Sequence, residues 1–149
     1  MAFAKSYNNK RITDTIGGKT YNFRSKGEWR LAKFFQFLKD AGEIQDWFYE
    51  QTTFRFPDSS WLVDFDIRNN DDTFYYVEFK GLFEADTRKK LQLLKKYFPD
   101  TGLVMCFYAK RDAKKIKTSL KYIDKVWVLT DNGINTIYDK ATAATFAGL

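Results

Sequence analysis

Histidine is absent from the 149 residues, cysteine occurs once and proline twice. Without histidine, the Ser-His-Asp and Cys-His arrangements of nucleophilic catalysis are excluded. The single cysteine, Cys106 in the apolar run GLVMCFY, leaves no disulfide framework and no cysteine-based zinc site. No apolar run approaches the ~18 residues of a membrane span, and the opening MAFAKSYNNKR lacks the apolar stretch of a secretory signal. The expectation is a soluble, cytoplasmic protein with no membrane partner. There is also no internal repeat, low-complexity tract or linker. A chain of this length with 44% hydrophobic residues reads as one domain able to bury its own core. For hydrolytic chemistry, what remains is carboxylates acting with a metal ion.

Charge is plentiful but unevenly placed. The formal net charge is +6, yet residues 25–87 carry seven basic and thirteen acidic groups, while residues 88–121 carry eleven basic groups against Asp100 and Asp112. Residues 1–24 add five basic groups against Asp14. An acidic centre between two basic segments suits a protein that holds phosphates around a cation site. Lysines that merely solvate helix faces would give the same counts. Aromatic residues reach 19%, most of them at core-like positions.

The most informative stretch is WLVDFDIRNNDDTFYYVEFKG, from Trp61 to Gly81. With period two, Trp61, Val63, Phe65 and Ile67 share one face of a first strand, and Asp64 and Asp66 the other. In a second strand Tyr75, Val77 and Phe79 share a face, which leaves Glu78 and Lys80 together on the opposite one. Two carboxylates and a lysine therefore converge. Oxygen ligands of this kind suit Mg²⁺, with Mn²⁺ able to substitute, and the lysine can orient or deprotonate an attacking water. This is the pattern of a phosphodiester-cleaving site. Asp66 lies about 6.5 to 7 Å along the strand from Asp64, far for a shared first ligand shell. Asp71-Asp72 reads as turn chemistry.

This spacing resembles that of the PD-(D/E)xK nucleases in Asp64, Glu78 and Lys80, with Val63 standing where proline is common. From Glu78 to Pro99, EFKGLFEADTRKKLQLLKKYFP resembles the phage endonuclease I family of Holliday-junction resolving enzymes, and the likeness extends upstream to SKGEWRLAKFF, covering roughly residues 25–107. The resemblance implies a restriction-endonuclease-like α/β fold, a mixed central sheet flanked by helices. It also implies Mg²⁺-dependent cleavage of branched DNA by an intertwined homodimer, in the host cytoplasm if the chain is phage-encoded. Carried over by position, Glu28, Asp64, Glu78 and Lys80 form the catalytic set. Asp64, Glu78, the Phe79 carbonyl and Glu28 would surround the metal. A restriction-like or transposon-end-cleaving nuclease, or a non-catalytic DNA-binding protein, shares much of this pattern.

Along the chain, residues 1–24 read as a poorly structured basic arm with a turn at Gly17-Gly18 and a short extended run from Thr20 to Phe23. Residues 25–107 form the catalytic core and residues 108–149 a C-terminal helix and hairpin. Ser25 and Glu28 match a capping box, with Leu31, Ala32, Phe35 and Leu38 at helical spacing behind them. Local sequence favours capping for Glu28, and the resemblance favours the metal site. Phe48 to Phe56 reads as one strand ending at Pro57, either a bridge between subunits or a meander strand pairing with residues 61–67. A helix is expected over about residues 86–97, a buried strand over Leu103–Tyr108, and a basic helix over 110–123 with Ala113, Ile116, Leu120 and Ile123 inward. Asp131-Asn132-Gly133 marks a hairpin. Lys5, Lys10, Arg11, Arg88, Lys89 and Lys90 are the expected phosphate contacts, which position DNA without reading its bases.

Overall fold

The computed structural model describes residues 10–81 and 83–142. Its strands are β1 (Ile12–Ile16), β2 (Lys19–Phe23), β3 (Asp46–Tyr49), β4 (Thr53–Arg55), β5 (Ser60–Leu62), β6 (Phe65–Arg68), β7 (Phe74–Phe79), β8 (Gly102–Phe107), β9 (Lys125–Thr130) and β10 (Gly133–Asp139). Its helices are α1 (Lys26–Asp40), α2 (Ala85–Tyr97) and α3 (Lys110–Ala113), the last continuing as a 3₁₀ stretch over Lys114–Tyr122. A mixed six-stranded sheet runs in the order β10-β9-β8-β7-β6-β3. Strand β8 is parallel to both β7 and β9, and the other pairings are antiparallel.

The near-continuous apolar run of β8 has this central place because it offers a side chain to both faces. Val104 and Cys106 pack with Leu31, Ala32 and Phe35 of α1, while Leu103, Met105 and Phe107 pack with Leu91 and Leu94 of α2 and Ile116 of the 3₁₀ stretch. No described helix is long and apolar enough to cross a membrane. The hairpin expected at Asp131-Asn132-Gly133 joins β9 to β10.

Four expectations change. Residues 12–23 are not a loose arm but a hairpin, β1 with β2, turning at Gly17 and Gly18, both at positive φ. Its anchor is Phe23, which has no exposed surface, and the Trp29 indole N–H ties it to α1 by donating to Asp14 Oδ2 at 2.8 Å. The charge of the segment concealed an apolar side that only α1 completes. The basic helix over 110–123 is α-helical for one turn and then 3₁₀. Ala113, Ile116 and Ser119 are buried at intervals of three, the repeat that a 3₁₀ helix places on one side.

The other two changes belong together. Phe48 to Phe56 is two strands, with β3 pairing β6 and β4 pairing β5, all within the chain. Between Tyr49↔Phe65 and Thr53↔Leu62, residues 50–52 on one strand oppose residues 63–64 on the other, so one side carries an extra residue. Such a bulge bends and twists a ribbon. Glu50 sits at φ 51, and the bulge is closed by Glu50 N–H to the Asp64 carbonyl at 2.8 Å and Val63 N–H to the Thr52 carbonyl at 3.1 Å. Trp61 and Val63 therefore pack in the α2 layer and Phe65 and Ile67 in the α1 layer, although regular alternation assigns all four to one face.

Replacing Phe23 with alanine is expected to cost about 3–5 kcal/mol in urea unfolding, the cost of emptying a buried phenylalanine site. A loose arm would make the change nearly silent.

Candidate active site

Asp64 stands one residue before the paired part of β6, where the register Phe65↔Val77 sets it opposite Glu78. Because the bulge interrupts the ladder, the Asp64 N–H donates to Glu78 Oε1 at 3.0 Å, and the Phe79 N–H donates to Asp64 Oδ2 at 2.8 Å. Each carboxylate is thus fixed by backbone on the neighbouring strand. Both are buried, and Lys80 Nζ lies 2.9 Å from Glu78 Oε2. The Lys80 N–H in turn donates to the Cys106 carbonyl at 2.9 Å, anchoring the lysine to β8.

Glu28 arrives from α1, where it takes part in the helix cap and also turns its carboxylate toward Arg24. Its N–H donates to Ser25 Oγ at 3.2 Å, the N-cap bond, while the Ser25 hydroxyl donates to Glu28 Oε2 at 3.2 Å. The Tyr49 hydroxyl donates to Glu28 Oε1 at 2.5 Å. The cap therefore holds the carboxylate inward instead of competing for it. The helix end comes this close because residue 27 is glycine: a Cβ there would stand 2.3 Å from the Phe79 ring. The Gly27 N–H donates to the Tyr108 hydroxyl at 2.9 Å, and the Tyr108 ring meets that of Phe79 edge-on at 4.6 Å.

Two residues with no site role expected from sequence complete the cluster. Arg24, half-exposed, places Nη2 2.5 Å from Asp64 Oδ1, and its Nε lies 3.1 Å from Glu50 Oε2 and 3.5 Å from Glu28 Oε1. In sequence Arg24 is one more cation of a basic segment, and Glu50 one member of an alternating run. Arg24 offered no signal, because the carboxylates it meets come from three separate segments. Glu50 offered none, because the bulge that directs it is a property of the paired strands.

The charges interlock but do not balance. Burial, then Glu78 and Glu28, push the Asp64 carboxyl well above the usual carboxylate range against the pull of Arg24 and the Phe79 N–H. Burial opposes the charge on Arg24, but Asp64, Glu28 and Glu50 outweigh it and raise its pKa. Lys80 behaves likewise: burial lowers its pKa, Glu78 and Asp64 raise it further, and the ammonium is retained. A lysine held this way orients and stabilises charge and is a poor base. Four carboxylates face two cations here, an excess of negative charge on hard oxygen donors.

The remaining expected residues are dispersed. Asp66 points away from the cluster and holds the bulge, accepting from the Thr52 hydroxyl and from Gln51 Nε2 at 3.4 Å, while its Oδ1 is buried without a partner. Lys10 and Arg11 are exposed at the start of the described chain, and Lys5 lies outside the described residues. Arg88 and Lys89 are exposed on α2, and Lys90 Nζ lies 3.5 Å from Asp86. Among the described residues, no three acidic, histidine or cysteine side chains stand ready as a metal cage. The reason is geometric: the Arg24 guanidinium lies among Asp64, Glu28 and Glu50, and Lys80 lies on Glu78. The donor set itself fits a hard divalent cation, since Asp64 and Glu78 are adjacent, oxygen-bearing and under-neutralised. Compared with known proteins, the chain matches no family model and no curated sequence.

Substituting Gly27 with alanine should destabilise the fold by about 1–3 kcal/mol in denaturant titration, the usual cost of overpacking. An unchanged midpoint would mean that the α1 terminus moves away from Phe79 freely.

Proposed function

We propose that this chain is a metal-dependent endonuclease with a restriction-endonuclease-like fold, hydrolysing DNA phosphodiesters as a junction-resolving homodimer. One observation carries the reading: Glu28, Asp64 and the Glu78–Lys80 pair, from three separate segments, meet at the start of α1 and the adjoining ends of β6 and β7. The likeness to the endonuclease I family, which rests on Glu78 to Pro99 and the SKGEWRLAKFF helix, assigns the catalytic set to the same four positions. The mixed sheet flanked by helices is compatible with that fold.

Asp64, Glu78 and the Phe79 carbonyl would hold Mg²⁺, with Mn²⁺ as a substitute and Glu28 at the edge of the same shell. When bound, the ion lowers the pKa of a water and stabilises charge on the phosphate. The chain's own groups do the rest. The Lys80 ammonium donates to the attacking water and steadies the negative charge that develops. Glu78 keeps that ammonium in place through Oε2. Glu28, pinned by Ser25 and Tyr49, keeps the α1 terminus against the phosphate path. Two such sites in a dimer would address opposed strands of a four-way junction, with basic α2 residues Arg88, Lys89 and Lys90 meeting its backbone.

Cleavage of a labelled four-way junction and of a matched linear duplex, each with Mg²⁺ and with EDTA, tests the reading. Metal-dependent cutting that favours the junction is expected, and Asp64→Asn, Glu78→Gln and Lys80→Ala should each nearly abolish it while leaving DNA binding largely intact. Full activity in all three variants would remove the site assignment. Equal cutting of both substrates by a monomer would remove the resolving role alone.

Binding should also fall steeply with salt, since a protein contacting roughly 6 to 10 phosphates loses about 10³ to 10⁵ in affinity between 50 and 200 mM. Neutral replacements at Lys89 and Lys90 are expected to flatten that slope; an unaltered slope would move the DNA surface elsewhere.

A further inference from the structure

Nearly every carboxylate oxygen at the centre of the site already has a partner. Asp64 Oδ2 and Glu78 Oε1 accept backbone N–H groups that strand pairing holds in place, while Glu28 accepts from Tyr49 and Ser25. The two remaining oxygens, Asp64 Oδ1 and Glu78 Oε2, are met by Arg24 and Lys80. Asp64 therefore has one oxygen to offer an incoming cation, and the Arg24 guanidinium stands on it at 2.5 Å. A hard dication binds carboxylate oxygen at about 2.0–2.1 Å. Two cations at that oxygen repel at close range, in surroundings that screen them poorly.

Building on the nuclease reading, we propose that Arg24 is an internal counter-ion that a divalent cation must displace, so that the Arg24–Glu50–Glu28 contact sets the cation concentration at which the site loads. Arg24 is fitted to this role by its partners. It bridges carboxylates from three elements, Glu28 on α1, Glu50 on the bulge and Asp64 ahead of β6, and is itself half-exposed. Displacement moves it outward along Glu50, which lies nearer the surface than Asp64. The guanidinium keeps a carboxylate partner and stays at the rim. Lys80 is the less exchangeable cation: its side chain is more buried than that of Arg24 and its backbone is tied to β8.

The test is calorimetric titration of Mn²⁺ into DNA-free protein, which reads the cation site without turnover. Arg24→Gln should bind Mn²⁺ on the order of tenfold more tightly than the unaltered chain, the scale of one nearby charge in a partly solvated site. Arg24→Lys keeps the charge without the planar fork and should bind Mn²⁺ more weakly than Arg24→Gln. A second measurement needs no variant. In the unaltered chain, Mg²⁺ should shift the Arg24 Nη2–H resonance and speed its exchange with solvent, since that group is the one on Asp64. Unchanged or weaker Mn²⁺ binding in Arg24→Gln, or an Nη2–H signal that saturating Mg²⁺ leaves in place, overturns the inference and leaves the nuclease reading standing. Failure of both the unaltered chain and Arg24→Gln to bind Mn²⁺ overturns the inference, while junction cleavage that EDTA leaves unchanged overturns the nuclease reading.

Discussion

The reciprocal contact between Asp64 and Glu78 is the constraint on which the rest of the site depends. One carboxylate accepts the N–H beside the other, so the pair replaces a rung of the β6–β7 ladder instead of projecting from it. Burying two carboxylates side by side is unfavourable unless each is hydrogen-bonded and countered by charge. The fold supplies both: backbone N–H groups from the sheet, and Arg24 and Lys80 from opposite sides. The bulge at Glu50 is what releases the Asp64 N–H from ordinary strand pairing.

The centre of this site was legible in the sequence because Asp64, Glu78 and Lys80 sit on strands adjacent in both chain and space, where period two determines which side chains share a face. Glu28 was half legible, since capping and site roles looked like alternatives until Ser25 and Tyr49 were seen to bind the same carboxylate. Arg24 and Glu50 were not. Their roles arise where α1, the bulge and β6 meet, and no single segment records that meeting. The β1–β2 hairpin was obscured for a related reason: its apolar side is thin until α1 covers it, and its charge dominates a linear reading. The buried place of β8 and the hairpin between β9 and β10 followed from local pattern, because a near-continuous apolar run and an Asn-Gly turn specify structure with little help from distant residues.

Cys106 shows how a chemically suggestive residue can be plain packing. Burial pushes its thiol well above the ordinary range, and its carbonyl, not its sulfur, reaches the site through the Lys80 N–H. It acts as a small apolar side chain in the α1 layer, beside Val104. With no histidine anywhere in the chain, the chemistry available to the cluster is that of oxygen donors and permanent cations.

The bulge also divides the site by cooperativity. Asp64, Glu78 and Lys80 are tied by backbone bonds to β7 and β8, whose side chains pack in both core layers, which places them in the more strongly protected part of the fold. Glu50 belongs to a three-residue excursion held by two backbone bonds and by Asp66, and Arg24 leaves the β1–β2 hairpin just ahead of the helix. These rim elements can open in a smaller unit that leaves the sheet intact. The molecule thus pairs a rigid floor with an edge able to fluctuate on its own, and exchange of small ions at the site need not await any breathing of the core.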